Sequence, residues 1–334
     1  CWRYDRPMQL AEPIAASWKA GLDLGFERRG ERTVLAERRH DGPLVVQKPL
    51  YQEGGEVCHA IVVHPPAGMA GGDELELRAS AAHGAHALLT TPGAGKWYRS
   101  AGPWAAQRLR FEVAGALEWL PQETIVFDGA RARLETEVRL GANARYLGWE
   151  ILCLGRTGSG EKFARGEMRL STRVLRDDKL LWLERGRLEG GGPLLDSPAG
   201  LQGKPVCATL IAAGAGFDLA ACRAIEDVAV TQLPGLLVAR HLGDSSEKAK
   251  RLFARLWAVL RPALFGREAA EPRHARLQRA IGQLLHEPAR VPAGIVAPIG
   301  LLEPQLHALR GAQARVLVLR DHPALGVAIE RRGA

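Results

Sequence analysis

A run near the middle of the chain alternates between apolar and polar residues, and this alternation restricts the fold more than any other feature. Residues 133–140 read Arg-Leu-Glu-Thr-Glu-Val-Arg-Leu, so every second side chain is charged. A period of two residues is typical of a β-strand with one buried face. Similar short runs, broken by Gly and Pro, recur from about Gly30 to Val230, and the 38 glycines suit many tight turns. The sequence therefore predicts a mainly β fold.

A strand–turn–strand unit is repeated around three Gly-Ala pairs, which begin at Gly84, Gly115 and Gly141. In each copy an alternating run leads into the pair and a second apolar run follows it. Units of this kind bury little surface alone and gain stability when they stack. We therefore expect stacked strands or hairpins, arranged as a solenoid or as layered sheets. Chance Gly-Ala pairs in an alanine-rich chain are the alternative.

One segment near the C-terminus has the periodicity of a long amphipathic helix. Asp244 is a candidate N-cap and Gly266 a candidate stop, so the predicted helix covers residues 244–265. We expect its apolar stripe to pack on the chain's own sheet, and a partner-facing stripe is the alternative. A second helix is suggested by Leu277–Leu285 and a strand by Val316–Leu319. The stripe consists of Leu252, Phe253, Leu256, Trp257, Leu260 and Leu264.

Composition excludes several classes of protein. The 334 residues are 46% hydrophobic and 25% charged, which is enough for a packed core. The net charge of +8 is scattered and only 6% of residues are aromatic, so an acidic protein partner is favoured over nucleic acid. The five cysteines are widely spaced without a Cys-x-x-Cys pair, which favours a reducing cytoplasm. Neither a membrane span nor a signal peptide is visible, and we expect no membrane partner.

Motifs for nucleotide or serine chemistry are incomplete. Residues Gly155–Gly160 have the glycine spacing of a phosphate-binding P-loop, but Glu161 stands where the motif needs lysine. An anion there would repel phosphate, so we expect no nucleotide binding by this chain. No Gly-x-Ser-x-Gly elbow occurs in a strand–turn–helix setting.

Five carboxylates stand beside apolar or glycine-rich positions. A buried carboxylate costs several kcal/mol unless it is paired or bound to a cation. Isolated carboxylates suit divalent cations that are held loosely, and none of these has the compact spacing of a closed metal site. The alternative is that strand alternation exposes them, or that they form salt bridges and turn hydrogen bonds. The five are Asp73, Glu123, Asp128, Glu150 and Glu184.

Eight motifs follow one another in order along the chain. They are His64-Pro-Pro-x-Gly-x-x-Gly-Gly-Asp73, Leu88-Leu-Thr-Thr-Pro-Gly-x-x-Lys96-x-Tyr-Arg-Ser100, Glu118-Trp-Leu-Pro-Gln-Glu-Thr-Ile-Val-Phe-Asp-Gly129, Gly148-Trp-Glu-Ile-x-Cys-Leu-Gly155, Glu184-Arg-x-x-Leu188, Leu236-Leu-Val-Ala-Arg-x-Leu-Gly-Asp244, Leu260-Arg-Pro262 and Glu271-Pro-Arg273. Together they resemble the urease accessory protein D family, also called UreD/UreH. The resemblance covers about residues 14–273.

The resemblance implies a β scaffold with a C-terminal helical pair and a non-enzymatic role in assembling the nickel centre of urease. Such a chaperone docks on apo-urease with accessory proteins F and G, of which G is the GTPase. It binds no permanent cofactor, and Ni²⁺ passes in transit through a tunnel lined by acids. Carried over by motif, those acids are Asp73, Glu150 and Glu184, with Glu123 and Asp128 as neighbours.

The resemblance also suggests a division of the chain. The scaffold would cover residues 8–273, including the helix at 244–265. Residues 1–7 and 274–334 have no counterpart in the motifs, and we expect that deletion of residues 275–334 leaves urease activation intact.

Alternatively, the protein is a β-fold carbohydrate-active hydrolase that uses Glu123 and Asp128 as its acid pair. Five residues apart on a straight strand they would face opposite sides, so a turn must bring them together. Co-purification with urease and its accessory proteins would separate the two functions.

Overall fold

The computed structural model describes residues 17–270 and the backbone of three short strands beyond them. Seventeen strands form the main body of the described chain. In chain order they are β1 (Lys19–Arg29), β2 (Arg32–Asp41), β3 (Val45–Val46), β4 (Val57–Val63), β5 (Glu74–Ala81), β6 (His86–Thr90), β7 (Gly95–Trp97), β8 (Ala105–Val113), β9 (Ala116–Leu120), β10 (Thr124–Val126), β11 (Arg131–Leu140), β12 (Arg145–Leu154), β13 (Glu167–Arg176), β14 (Lys179–Glu189), β15 (Val206–Ala213), β16 (Ala229–Leu233) and β17 (Leu236–Gly243).

Helices are few in the described chain. They are the short α1 (Pro193–Asp196) and α2 (Leu219–Arg223), the long α3 (Ser246–Phe265), and a 3₁₀ turn at Thr157–Ser159. The later strands β18 (Ala297–Pro298), β19 (Ala314–Leu319) and β20 (Gly326–Arg331) form a small separate sheet in the order β18-β20-β19. The strand predicted at Val316–Leu319 is confirmed as part of β19, and the helix predicted at Leu277–Leu285 lies outside the described residues.

The main body consists of two sheets. One has seven strands in the order β14-β13-β11-β8-β5-β1-β2, and the other has ten, of which eight run in the order β16-β17-β15-β12-β9-β6-β4-β3. The remaining two attach at the side, because β10 pairs in parallel with both β12 and β7. The prediction of a mainly β fold in layered sheets is confirmed.

The Gly-Ala repeats mark the crossings between these sheets. In each copy the first strand belongs to the seven-stranded sheet and the second to the other, giving the pairs β5/β6, β8/β9 and β11/β12. Equivalent strands pair in parallel, β5 with β8 and β8 with β11 on one side, β6 with β9 and β9 with β12 on the other. Successive units therefore stack as the coils of a two-sided solenoid. The two strands of one unit lie in different sheets, so the units are not hairpins.

Two apolar layers result from this stacking. The first fills the space between the sheets, where Leu77, Leu109 and Val138 of one sheet face Leu89 and Leu117 of the other. The second lies on the far side of the ten-stranded sheet, where the stripe of α3 is buried. The expectation that the stripe packs on the chain's own sheet is confirmed.

The ends of α3 show which residues start and stop a helix. The N-cap is Ser245, whose hydroxyl accepts a hydrogen bond from the backbone N–H of Lys248 at 3.2 Å. The predicted cap, Asp244, is wrong by one residue, because its carboxylate instead pairs with Nζ of Lys204 at 2.7 Å. Gly266 ends the helix as predicted, with a left-handed φ of 68° that glycine adopts without steric cost.

Gly115 shows how tightly the crossings are built. A Cβ atom at this position would lie 2.4 Å from the carbonyl oxygens of both Ala82 and Ala85, which are backbone atoms and cannot rotate away. We expect Gly115→Ala to lower the free energy of unfolding by about 2–4 kcal/mol, as overpacking does in a tight core. Gly93→Ala is the matched control, because no atom lies within 4 Å of its Cβ position. Equal urea denaturation midpoints for the two variants would contradict the crossing geometry.

Candidate functional site

Glu150 is a carboxylate on the inward face of β12. Its alternate neighbours Tyr146 and Leu152 belong to the apolar layer between the sheets, whereas Ile151 belongs to the layer under α3. The hydroxyl of Thr124, on the adjacent β10, donates to Glu150 Oε1 at 2.5 Å. Among the residues that the structure describes, Glu150 has no ion-pair partner. Burial without a counter-charge raises the pKa of Glu150 to about 7, against the smaller opposing effect of the Thr124 hydrogen bond.

Cys207 of β15 packs against the same layer and is affected by the charges of Glu150 and Glu184. Burial first, and then the charges of Glu184 and Glu150, raise the pKa of the Cys207 thiol to about 12. Glu184 is partly shielded by Arg240, whose guanidinium donates to Glu184 Oε1 at 2.6 Å. Two of the five predicted acids, Glu150 and Glu184, therefore act electrostatically on the same thiol.

Asp73 has a structural contact for each of its oxygens. Its Oδ1 accepts from the backbone N–H of Trp18 at 2.8 Å and its Oδ2 from that of Ala70 at 2.7 Å. The side chain is 2% exposed, so these bonds hold the Gly-Gly turn that precedes β5. His64 is close to it: burial lowers the pKa of His64 and the charge of Asp73 opposes that shift. The buried Nε2 of His64 has no hydrogen-bond partner among the described residues.

Glu123 and Asp128 are separated by β10 and a turn, and each is held by cations. Glu123 Oε2 lies 3.0 Å from Nζ of Lys250 on α3. Asp128 accepts from the backbone N–H of Arg165 at 2.8 Å and also binds the Arg165 guanidinium. These hydrogen bonds lower the pKa of Asp128. Asp128 is thereby held in its ionised form and Glu123 is engaged by Lys250, which weighs against the hydrolase alternative, in which one of the two acids must donate a proton.

The five predicted acids thus occupy separate places, although the charges of Glu150 and Glu184 both act on Cys207. Within the described part of the chain, no group of three or more His, Cys, Asp or Glu side chains is arranged to hold a metal ion. Their role in a cation path stays a prediction. Of the five, Glu150 is the one without a cationic partner or a backbone donor in the described chain, and it can offer oxygen ligands to a hydrated ion.

A buried charge network, which the sequence patterns did not predict, joins α3 to the sheets. Arg261 is fully buried, and its guanidinium contacts both oxygens of Glu53 (2.5 and 2.9 Å) and both of Glu118 (3.0–3.2 Å). The indole N–H of Trp257 donates to Glu118 at 2.5 Å. His59 and His86 complete the network through Glu53 at 2.6 Å and Glu118 at 2.7 Å, respectively. We define these six residues as the buried network.

Charge balance in the buried network depends on Arg261. Burial opposes ionisation of Glu53, but hydrogen bonds from His59 and Arg261 outweigh it and lower the pKa of Glu53 to about 2. Hydrogen bonds and charges of His86 and Arg261 similarly lower the pKa of Glu118. One signal in the sequence pointed to this network: Arg261 follows Trp257 by four residues, so it falls on the apolar stripe, where an unpaired cation is too costly.

In the part of the chain that the structure describes, none of the helices combines the length and the apolar character that crossing a membrane requires. The four cysteines in that part, Cys58, Cys153, Cys207 and Cys222, are all free thiols.

Comparison with known proteins gives a consistent family assignment. The sequence model of the UreD urease accessory protein family matches residues 19–276. The urease accessory protein UreD of Azoarcus sp. (strain BH72) is 54% identical over 277 residues, which cover 80% of this chain and 96% of that protein. The UreD of Dechloromonas aromatica (strain RCB) is 56% identical over 270 residues, covering 77% and 94%. That of Pseudomonas aeruginosa PAO1 is 51% identical over 266 residues, with the same coverages. The chain therefore belongs to the UreD urease accessory protein family.

Proposed function

We propose that this chain is a urease maturation factor that carries no catalytic site of its own. In this role it docks on apo-urease together with accessory proteins F and G, and it helps Ni²⁺ pass to the urease active site. Nickel is cargo here and not a resident cofactor. The family membership supports the maturation role, and the stacked sheets supply a rigid scaffold on which partners can assemble.

The observation that carries the nickel step is the state of Glu150. It faces the layer between the sheets, has no counter-cation in the described chain, and its pKa is raised to about 7. A carboxylate held in this way is costly to the fold when ionised, and a divalent cation would relieve that cost. Isolated carboxylates bind borderline divalent metals weakly, so the ion would be released again. Glu184, whose charge acts on Cys207 as that of Glu150 does, is the second candidate ligand, with Asp73, Glu123 and Asp128 as further candidates along the path.

The division of labour with a GTPase partner fits the loop at Gly155–Gly160. This loop forms a 3₁₀ turn, and Glu161 after it binds the Arg156 guanidinium at 2.6 Å instead of offering a cation to phosphate. Energy from nucleotide hydrolysis would then come from accessory protein G. The free thiols agree with a cytoplasmic location, which is part of the proposal.

Docking can be tested by purification of defined components. When the tagged chain is co-expressed with accessory proteins F and G and apo-urease, we expect all three to be retained during affinity purification. An unrelated tagged β protein should retain none of them. Co-expression with accessory protein F should also increase the soluble yield, because a scaffold leaves apolar side chains such as Leu180 and Leu183 exposed for partners. A soluble, monodisperse chain that retains none of these components at low salt would contradict the scaffold function.

A further inference from the structure

A row of arginines crosses the outer face of the seven-stranded sheet. Arg133 of β11 lies directly opposite Arg169 of β13, and Arg169 lies directly opposite Arg187 of β14. Like charges that face each other across strands are destabilising. In the described chain, neighbouring carboxylates balance only part of the positive charge of these arginines.

The carboxylates near this row are already shared. Glu167 accepts from Arg169 at 2.7 Å and from Arg187 at 2.8 Å, and Arg187 also pairs with Glu189 at 2.5 Å. Within residues 17–270, Arg133 is in no ion pair. Arg131 and Arg185 are also in no ion pair within these residues. Arg131 is two residues before Arg133 on β11, and Arg185 lies opposite Ser171, two residues after Arg169, so both are on this face. Within the described part of the chain, three cations on one face therefore have no counter-charge.

A tryptophan holds three of these side chains in place. The guanidinium carbons of Arg131, Arg133 and Arg169 lie 4.8, 5.5 and 4.6 Å from the centroid of the Trp104 ring. Stacking on an aromatic face partly offsets the repulsion between the arginines and restricts their motion. Arg131 also donates to the carbonyl oxygen of Gly102 at 2.5 Å. We name Trp104, Arg131, Arg133, Arg169, Arg185 and Arg187 the arginine patch.

The border of the arginine patch is suited to contact with another protein. Leu183 is 42% exposed and shares the outer face of β14 with Arg185 and Arg187. Small Ser171 leaves a shallow depression between Glu135 and Arg185. Tryptophan and arginine are the residues that most often supply binding energy in protein interfaces, and ordered side chains lose less entropy when they bind.

We propose that the arginine patch is a docking surface for an acidic segment of a protein partner. The three uncompensated guanidinium groups would donate paired hydrogen bonds to carboxylates of the partner, and Leu183 would add an apolar contact at the edge. The surface lies on the opposite face of its sheet from Glu150, and the proposal does not rest on nickel transfer. The net charge of +8 is in keeping with this assignment.

Nucleic acid fits the same surface less well. Glu167 and Glu189 lie within the row and would repel a phosphate backbone, whereas a protein surface can place cations opposite them. Trp104 is the single tryptophan in the patch and its ring is covered by guanidinium groups, so it is not open for base stacking.

The test uses full-length protein and a fluorescein-labelled octaglutamate peptide. The patch variant is Arg133→Gln/Arg185→Gln, in which neither arginine has an ion pair to lose among residues 17–270. The control is Arg78→Gln/Arg110→Gln on the same face, which removes the same charge from strands β5 and β8. We expect the patch variant to bind the peptide about tenfold more weakly and the control to change binding by less than about threefold. Arg133→Lys/Arg185→Lys, which keeps the charge, should recover most of the binding.

Several outcomes would overturn the proposal. One is no measurable peptide binding at low salt, and another is equal weakening by the patch and control variants. A third is loss of binding that occurs only together with a lowered melting temperature, in both the glutamine and the lysine variants of the patch. An eight-nucleotide thymidine oligomer that binds as tightly as the peptide, with the same response to the patch variant, would show a nucleic-acid surface instead. Urease activation can be measured in the same variants separately, so failure of the patch leaves the proposed function testable.

Discussion

Replacing Arg261 with methionine is expected to lower the free energy of unfolding by about 3–5 kcal/mol, the usual cost of removing one partner from a buried ion pair. Methionine fills much of the same volume, so the loss reports charge and not a cavity. Glu53 and Glu118, which are 6% and 0% exposed, would be left without their cation. The measurement is urea denaturation followed by tryptophan fluorescence and circular dichroism.

Arg139→Met is the matched control for this prediction. Its guanidinium pairs with Glu137 at 2.8 Å and Asp178 at 2.9 Å, but the side chain is 48% exposed. Exposed pairs contribute about 0–1 kcal/mol, so this variant should be close to wild type. If Arg261→Met were no more destabilising than Arg139→Met, the buried network would not be what joins α3 to the sheets.

Glu150→Gln is expected to change the free energy of unfolding in the opposite direction, by stabilising the protein. At pH 8 it should raise the free energy of unfolding by about 2–3 kcal/mol. Each unit of difference between the folded and unfolded pKa corresponds to about 1.4 kcal/mol, and the partial exposure of Glu150 to water reduces the total. Glutamine has the shape of the protonated acid and can still accept the hydrogen bond from Thr124. Below about pH 4.5 the two proteins should have nearly equal stability.

The direction follows from proton binding in the two states. Folded Glu150 holds its proton up to a pKa of about 7, whereas in the unfolded chain the usual value is 4.5. Between these values the folded state binds more protons, so wild-type stability falls as the pH rises from 4.5 to 7 and then levels off. Glu112→Gln, at an exposed position of β8, is the control for removal of a carboxylate. A wild-type and Glu150→Gln difference that is constant from pH 4 to pH 8 would contradict the raised pKa.

Local periodicity predicted most of the fold. Alternation identified the strands, and the Gly-Ala pairs identified the turns between them, because both depend on residues close together in the chain. The sheet assignment could not be obtained in this way. Whether the two strands of a unit pair with each other or lie in opposite sheets depends on stacking between units, which leaves no short-range pattern.

The site was predicted less completely, for a related reason. The acid beside Trp149 and Ile151 was identified from its apolar neighbours, and Glu150 does face the inner layer. The buried network was missed because its partners are far apart: 143 residues separate Arg261 from Glu118, and 208 separate it from Glu53. Glu118 also stands between apolar residues, Leu117 and Trp119, but local sequence does not show that its partners are Arg261 and Trp257 on a distant helix.

The nickel content of urease, matured in a defined mixture with accessory proteins F and G, tests the central claim most directly. Nickel per active site and the yield of the assembled complex are measured together for wild type, Glu150→Gln and Asp73→Ala. The proposed path predicts a normal complex yield with Glu150→Gln and a several-fold lower nickel content, although this variant is the more stable protein. Asp73→Ala removes two turn hydrogen bonds, so a fall in both quantities there would mark a structural role. Normal nickel content with Glu150→Gln at normal complex yield would contradict the account.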